Sequence, residues 1–179
     1  MGKYDSSYRS KNDEEVKLER VNRILRHPLF EEHLRSCEAF EEDRRFCLHD
    51  IGHFMDVARI AYILCLEKKY DISKETVYAA ALLHDIGRDV QYSEGTPHGK
   101  AGARIASKIL EDCGFSGSEI ESIAAAIAFH SGREKDVSEA DALSGVIFDA
   151  DKLSRKCFAC KASEECKWSP EKKNNFIGW

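Results

Sequence analysis

Long apolar runs are missing from this chain. The longest, near Ile60, is broken by Arg59, Glu67 and two lysines, so no segment is expected to span a bilayer and no membrane partner is expected. The first fifteen residues, MGKYDSSYRSKNDEE, have no apolar centre, which excludes an ordinary secretory leader. Positive charge is not in excess either. With 27 Lys and Arg against 32 Asp and Glu, the net charge is −5, and a duplex nucleic-acid face would need clustered cations to displace counterions. Small phosphorylated substrates stay open. The seven cysteines are odd in number, which argues against a complete intrachain disulfide framework and for a reducing, cytoplasmic location. No stretch alternates with period two for more than a few residues, and no solenoid repeat is visible. The expected fold class is all-α.

What is present is helical periodicity. Residues 1–11 read as a flexible lead, 12–155 as one helical domain and 156–179 as a short, irregular, Cys-rich tail. Val16, Leu18, Val21, Ile24 and Leu25 recur at helical spacing between Asp13 and Arg26. A second helix starts at Pro28, with Phe30, Leu34 and Phe40 on its apolar side, and a third runs from Ile51 to Glu67. Asp71 and Ser73 precede a fourth, and residues 88–97 read as a polar loop. A fifth helix covers His98 to Cys113. Ser118 with Glu121 reads as the capping box of a sixth that ends at His130, and Ser138 and Glu139 open a seventh through Leu153.

The fourth helix, Ala79 to Leu83, runs into His84-Asp85-Ile86-Gly87-Arg88. At a helix end with Gly87 as the stop, a neighbouring imidazole and carboxylate can converge on one divalent ion. Further candidates sit at or within helix boundaries: His53, His98, His130 and Asp151. The tetrapeptide His-Asp-Ile-Gly also occurs at 49–52. There His49 shares a helix face with His53, and a surface or capping role outside the metal ligands is expected for it. Asp149 is a candidate to orient a ligand from behind.

The order His53, His84-Asp85, Asp151, in the settings HFMDVARIA, ALLHDIGR and FDADKLS, resembles the signature of the HD-domain superfamily of metal-dependent phosphohydrolases over about residues 50–155. The resemblance implies an HD-domain helical bundle with Asp85 bridging two divalent ions (Mn, Fe, Co, Ni, Zn or Mg). His53, His84 and Asp151 would hold one, and His98 and His130 the other. It implies a phosphomonoesterase or phosphodiesterase acting on a nucleotide or another small phosphorylated metabolite, with water activated by the metal as nucleophile. The same ligand set also serves a di-iron oxygenase, and a non-catalytic nucleotide or redox sensor is the other alternative. Basic residues near the proposed ligands are Arg88, Lys100, Arg133, Lys152 and Arg155; Arg88 is the first candidate to grip phosphate and Lys152 the second. A homo-oligomer is compatible with the chain.

Beyond Asp151 comes Cys157-x2-Cys160-x5-Cys166. Three thiolates at this spacing can wrap a structural zinc or an iron–sulfur cluster, with Cys47 as the most attractive fourth ligand and Cys37 as another; a redox-active or incidental thiol set is the alternative. Cys65 and Cys113 fall on apolar helical positions and read as core. The tail resembles that of a group of small bacterial HD-domain proteins, which implies a bacterial cytoplasmic protein. Trp168, Phe176 and Trp179 are expected to pack the tail onto the helices or to form a partner surface.

Overall fold

A computed structural model describes residues 18–130 and 141–177. Among these are eight α-helices and no strand: α1 (Glu19–Leu25), α2 (Pro28–Phe40), α3 (Ile51–Glu67), α4 (Lys74–Leu83), α5 (Arg88–Glu94), α6 (His98–Cys113), α7 (Gly117–Phe129) and α8 (Ala142–Leu153). No helix among the described residues is long and apolar enough to cross a membrane.

The bundle is built around α4. Val77, Ala79, Ala80, Ala81, Leu82 and Leu83 are all fully buried. A helix that is apolar on nearly every side has to be surrounded, and its alanines let neighbours come close. It packs against α3, α7, α1, α8 and α6. The amphipathic helices α3 and α6 supply the walls, burying Phe54, Val57, Ile60 and Ala61 from one and Ala101, Ile105, Ile109 and Leu110 from the other. The α4 helix therefore delivers its last residues to the middle of the molecule.

The helix ends are set by local chemistry. Asp50 caps α3 by accepting from His53 N at 2.8 Å, and Ser73 caps α4 through Thr76 N. Gly114 ends α6 with φ +86°, a backbone conformation that side chains with a Cβ resist.

Several expectations need correction. Residues 88–94 form α5 rather than a loop. Seven residues with Val90 as their only buried apolar side chain give almost no periodic signal, and the helix is held through α2, where His33 bonds Asp89 at 2.8 Å. The capping box of α7 is Ser116 with Glu119, two residues before the expected pair. Phe40 is exposed, lying against Tyr92 instead of the core. Asp141 caps α8 through Ser144 N. The expected capping residues Ser138 and Glu139, the start of the first helix before Leu18, and the flexible lead fall outside the described residues.

Candidate metal centre

His84 and Asp85 follow the last turn of α4 and are almost completely shielded from solvent, at 0% and 1% exposure. Gly87, two residues on, has a negative φ, so it is not a left-handed helix stop as its position suggested. Its role is close approach. A Cβ there would lie 2.4 Å from Gly102 N and 2.5 Å from His98 O, so the turn after α4 is pressed directly onto the first turns of α6. That contact brings His98, the first residue of α6, to the buried His-Asp pair. His53 arrives from the first turn of α3, His130 from the end of α7 and Asp151 from the last turn of α8.

Two sets of donors result. Donor atoms of His53, His84, Asp85 and Asp151 all lie within 4.8 Å of one another, and so do those of Asp85, His98 and His130. Asp85 belongs to both, and its two oxygens divide the work. Oδ2 lies 3.3 Å from His84 Nε2 and 3.8 Å from His53 Nε2, while Oδ1 lies 3.2 Å from His130 Nε2 and 3.4 Å from His98 Nε2. His53 Nε2 is also 3.7 Å from Asp151 Oδ1.

The other face of each imidazole shows why these atoms suit a cation. His84 Nδ1 donates to Ala81 O and His130 Nδ1 to Ile127 O, both at 2.6 Å, and His98 Nδ1 donates to the side-chain oxygen of Gln91. Ser154 Oγ gives its proton to Asp151 O at 2.8 Å and accepts from His53 Nδ1 at 3.3 Å. With every Nδ1 engaged on its outer side, four Nε2 atoms are aimed at one carboxylate. Lone pairs facing lone pairs at 3.2 Å repel unless positive charge lies between them, so the donor set fits divalent metal ions with mixed N and O preference. Burial lowers the His53 pKa and pushes His98 down to about 3, whereas at His84 burial is outweighed by Asp85 and the pKa rises. Burial opposes the charge of Asp85, but His84, His130 and His53 outweigh it and hold the carboxyl well below the usual range. Asp151 is held at about 2, against its burial, by His84 and Lys152.

A cavity of about 790 Å³ opens onto this centre. His53, His98, His130 and Asp151 reach it, as do Arg88 and Lys152. Both cations are paired with carboxylates of the centre. Arg88 Nε donates to Asp85 Oδ1 at 2.8 Å and Nη2 to Oδ2 at 3.4 Å, and Lys152 Nζ meets Asp151 Oδ2 at 2.8 Å. Arg155 lines the same cavity and Lys100 does not; Arg133 lies outside the described residues.

His49 departs from the surface role expected of it. It is buried, donates from Nδ1 to Glu41, and turns Nε2 to within 3.6 Å of Asp85 Oδ2 while remaining outside both donor sets. Its backbone N–H also donates to Glu41, at 2.8 Å, and so does the Tyr92 hydroxyl. The spacing of four from His53 was the available signal; the buried Glu41 that receives it was not legible. Asp149 does not stand behind a ligand, because it makes an exposed pair with Lys68 at 3.1 Å.

Cys37, Cys65 and Cys113 are buried. Burial, then Glu41 and Asp85, push the Cys37 thiol up to about 12. Cys157, Cys160 and Cys166 are half-buried, Cys47 is exposed, and all seven cysteines are free. Trp168 lies under Arg155 at 4.0 Å, Phe176 is exposed rather than packed, and Trp179 is outside the described residues.

Comparison with known proteins agrees with this geometry. A family model described as HD domain matches residues 50–156. An uncharacterized protein of Clostridium beijerinckii is 41% identical over 157 residues, covering 88% of this chain and 97% of that one. Ribonuclease Y 1 of Pediococcus pentosaceus is 36% identical over 61 residues, which is 34% of this chain and 11% of that much longer protein. Among solved structures, a predicted HD superfamily hydrolase from an uncultured Thermotogales bacterium superimposes with a TM-score of 0.60 at 24% identity, covering 82% of this chain and 79% of that one. At that identity the likeness speaks for the fold.

Proposed function

The chain belongs to the HD-domain family, a membership that together with the buried histidine–aspartate centre supports a metal-dependent hydrolase, and on that premise we propose that it cleaves a phosphate ester of a nucleotide or another small phosphorylated metabolite. One observation carries the reading. Asp85 presents one oxygen to each of two donor sets whose outer Nδ1 protons are already committed, the arrangement a bridging carboxylate between two ions requires.

Divalent ions held there supply Lewis acidity and a water acidic enough to serve as nucleophile near neutral pH. His53, His84, Asp85 and Asp151 would hold one ion, and Asp85, His98 and His130 the other. The remaining work falls to the cavity wall. Arg88 and Lys152 hold the carboxylates of the centre while facing the cavity, so phosphate oxygens entering it meet a guanidinium and an ammonium already in place. The cavity volume suits a nucleotide-sized ligand rather than a polymer groove.

The test is metal analysis of purified protein beside a hydrolysis screen with nucleotides and bis-p-nitrophenyl phosphate. Asp85→Ala is expected to lose both ions and to reduce turnover by about 10³-fold or more, while keeping its helical circular dichroism. Full hydrolysis by that variant would remove the proposal.

A further inference from the structure

Residues 155–177 form an irregular segment with two short 3-10 turns, Cys157–Ala159 and Pro170–Lys172. Ala162 is its one buried residue, and Phe158, Trp168, Phe176 and Ile177 are all exposed. A stretch of this length without an apolar core does not hold one conformation unless something staples it. Its protein contacts are polar: Asn174 Nδ2 donates to the backbone oxygens of Lys152, Leu153 and Arg155, and Lys173 Nζ to Ser163 O. An exposed fork, Arg45 to Glu165 with both bonds at 2.8 Å, ties it to the segment before α3. Solvated contacts of this kind position a segment but stabilise it little.

That fork sets Cys47 and Cys166 on the same side of the molecule, since Arg45 is two residues from one and Glu165 adjoins the other. Both cysteines line the cavity wall. Neighbouring protein atoms partly desolvate the exposed Cys47 thiol and raise its pKa, Arg155 lowers it, and Cys157 and Cys160 are close enough to raise it further. Four thiols from two distant stretches therefore share one neighbourhood, and none is consumed in a disulfide. Six basic residues between 155 and 173, against three acidic ones, offset the charge that four thiolates would concentrate there.

We propose that Cys47, Cys157, Cys160 and Cys166 bind a four-iron iron–sulfur cluster that staples the tail against the cavity mouth. Sulfur spacing selects the cluster over zinc. A tetrahedral zinc with bonds of about 2.3 Å needs its sulfurs about 3.8 Å apart. Among the described residues no three thiols lie within 4.8 Å of one another. A cubane of four irons holds its four thiolates farther apart, at about 6 Å, so it requires no such close approach.

The experiment is anaerobic purification followed by reconstitution with equal amounts of ferric and ferrous iron and with sulfide, in the wild type and in an Asp85→Ala background that empties the histidine centre. About four irons and about four acid-labile sulfides per chain are expected in that background, with the broad violet absorption of a cluster. Sulfide is the decisive count, because the histidine centre holds none and its failure leaves this number untouched. Cys160→Ser and Cys47→Ser should each lower the sulfide count at least about fivefold, and Cys113→Ser, in the core of α6, should leave it unchanged. Absence of acid-labile sulfide in the reconstituted wild type overturns the proposal, and one zinc without iron overturns it in favour of a zinc staple. Full sulfide in Cys47→Ser overturns the four-cysteine assignment. The wild-type counts need no variant to fold.

Discussion

The tetrapeptide His-Asp-Ile-Gly is written twice in this chain, and the two copies fold in opposite senses. At 49–52 it opens a helix: Asp50 is the cap of α3, and Ile51 and Gly52 are exposed. At 84–87 it closes one: His84 and Asp85 are buried among donor atoms, Ile86 is in the core, and Gly87 is pressed onto α6. Asp50 spends its carboxylate on a backbone N–H, whereas Asp85 keeps both oxygens for the centre. Even the histidines divide. Each donates from Nδ1 and turns Nε2 inward, but His84 leans on the carbonyl of its own helix and His49 on the side chain of Glu41. Metal-binding capacity belongs to the position of the letters in the bundle, not to the letters.

Matched substitutions in the two copies sharpen that contrast. The largest difference is expected at the glycines. Gly87→Ala drives a methyl into backbone atoms at 2.4 and 2.5 Å, so α6 must move; about 3 kcal/mol of stability should be lost, and His98 should leave the second donor set, read as a lower thermal midpoint and a lower metal count. Gly52→Ala meets only the side chain of Asp50 at 3.0 Å and gains helix propensity, so its midpoint should stay within about 0.5 kcal/mol of the parent.

Next in size is the support of His49. Bonds from His49 and Tyr92 outweigh burial and hold Glu41 at about 2, below its ordinary 4.5. A depressed carboxyl adds stability that is complete above the unfolded value and disappears as pH falls towards about 2, here on the order of 3 kcal/mol. Glu41→Gln should therefore be less stable than the parent at pH 6 and converge with it near pH 2, as denaturant titrations at several pH values would show. Equal stability at pH 6 would mean that the first histidine needs no such anchor. A smaller loss belongs to Asp50→Ala, which removes one cap and should cost about 1 kcal/mol without changing the metal count.

Legibility followed the range of the forces involved. The limits of α3 and the limits of α6 could be read directly because cap, periodic stripe and stop lie within one stretch. The sequence Ser116-Gly117-Ser118-Glu119-Ile120-Glu121 offers two equivalent capping boxes, and Arg20 of α1 breaks the tie by binding Glu119 at 2.9 and 3.0 Å. Helix α5 was missed because α2 holds it in place. The six residues whose donor atoms converge could be picked out by their order along the chain, whereas the groups that orient them (Ala81 O, Ile127 O, Gln91 and Ser154) leave no mark of their own in the sequence. Arg88 and Lys152 stand close in sequence to the converging donors; that each pairs with a carboxylate of the centre depends on side-chain direction, which spacing does not encode.

The sharing of Asp85 makes the two halves of the centre thermodynamically one object. An ion held on the Oδ2 side would draw electron density from the same carboxylate that would serve a second ion through Oδ1, and the two charges would act on each other across a few ångströms. Two loading events at such a centre would be linked, and whatever the first did to the affinity of the second, the second would do equally to the first. A calorimetric titration of the stripped protein should follow a coupled isotherm rather than two independent ones, and its departure from independence measures what a single shared side chain contributes to communication between ions.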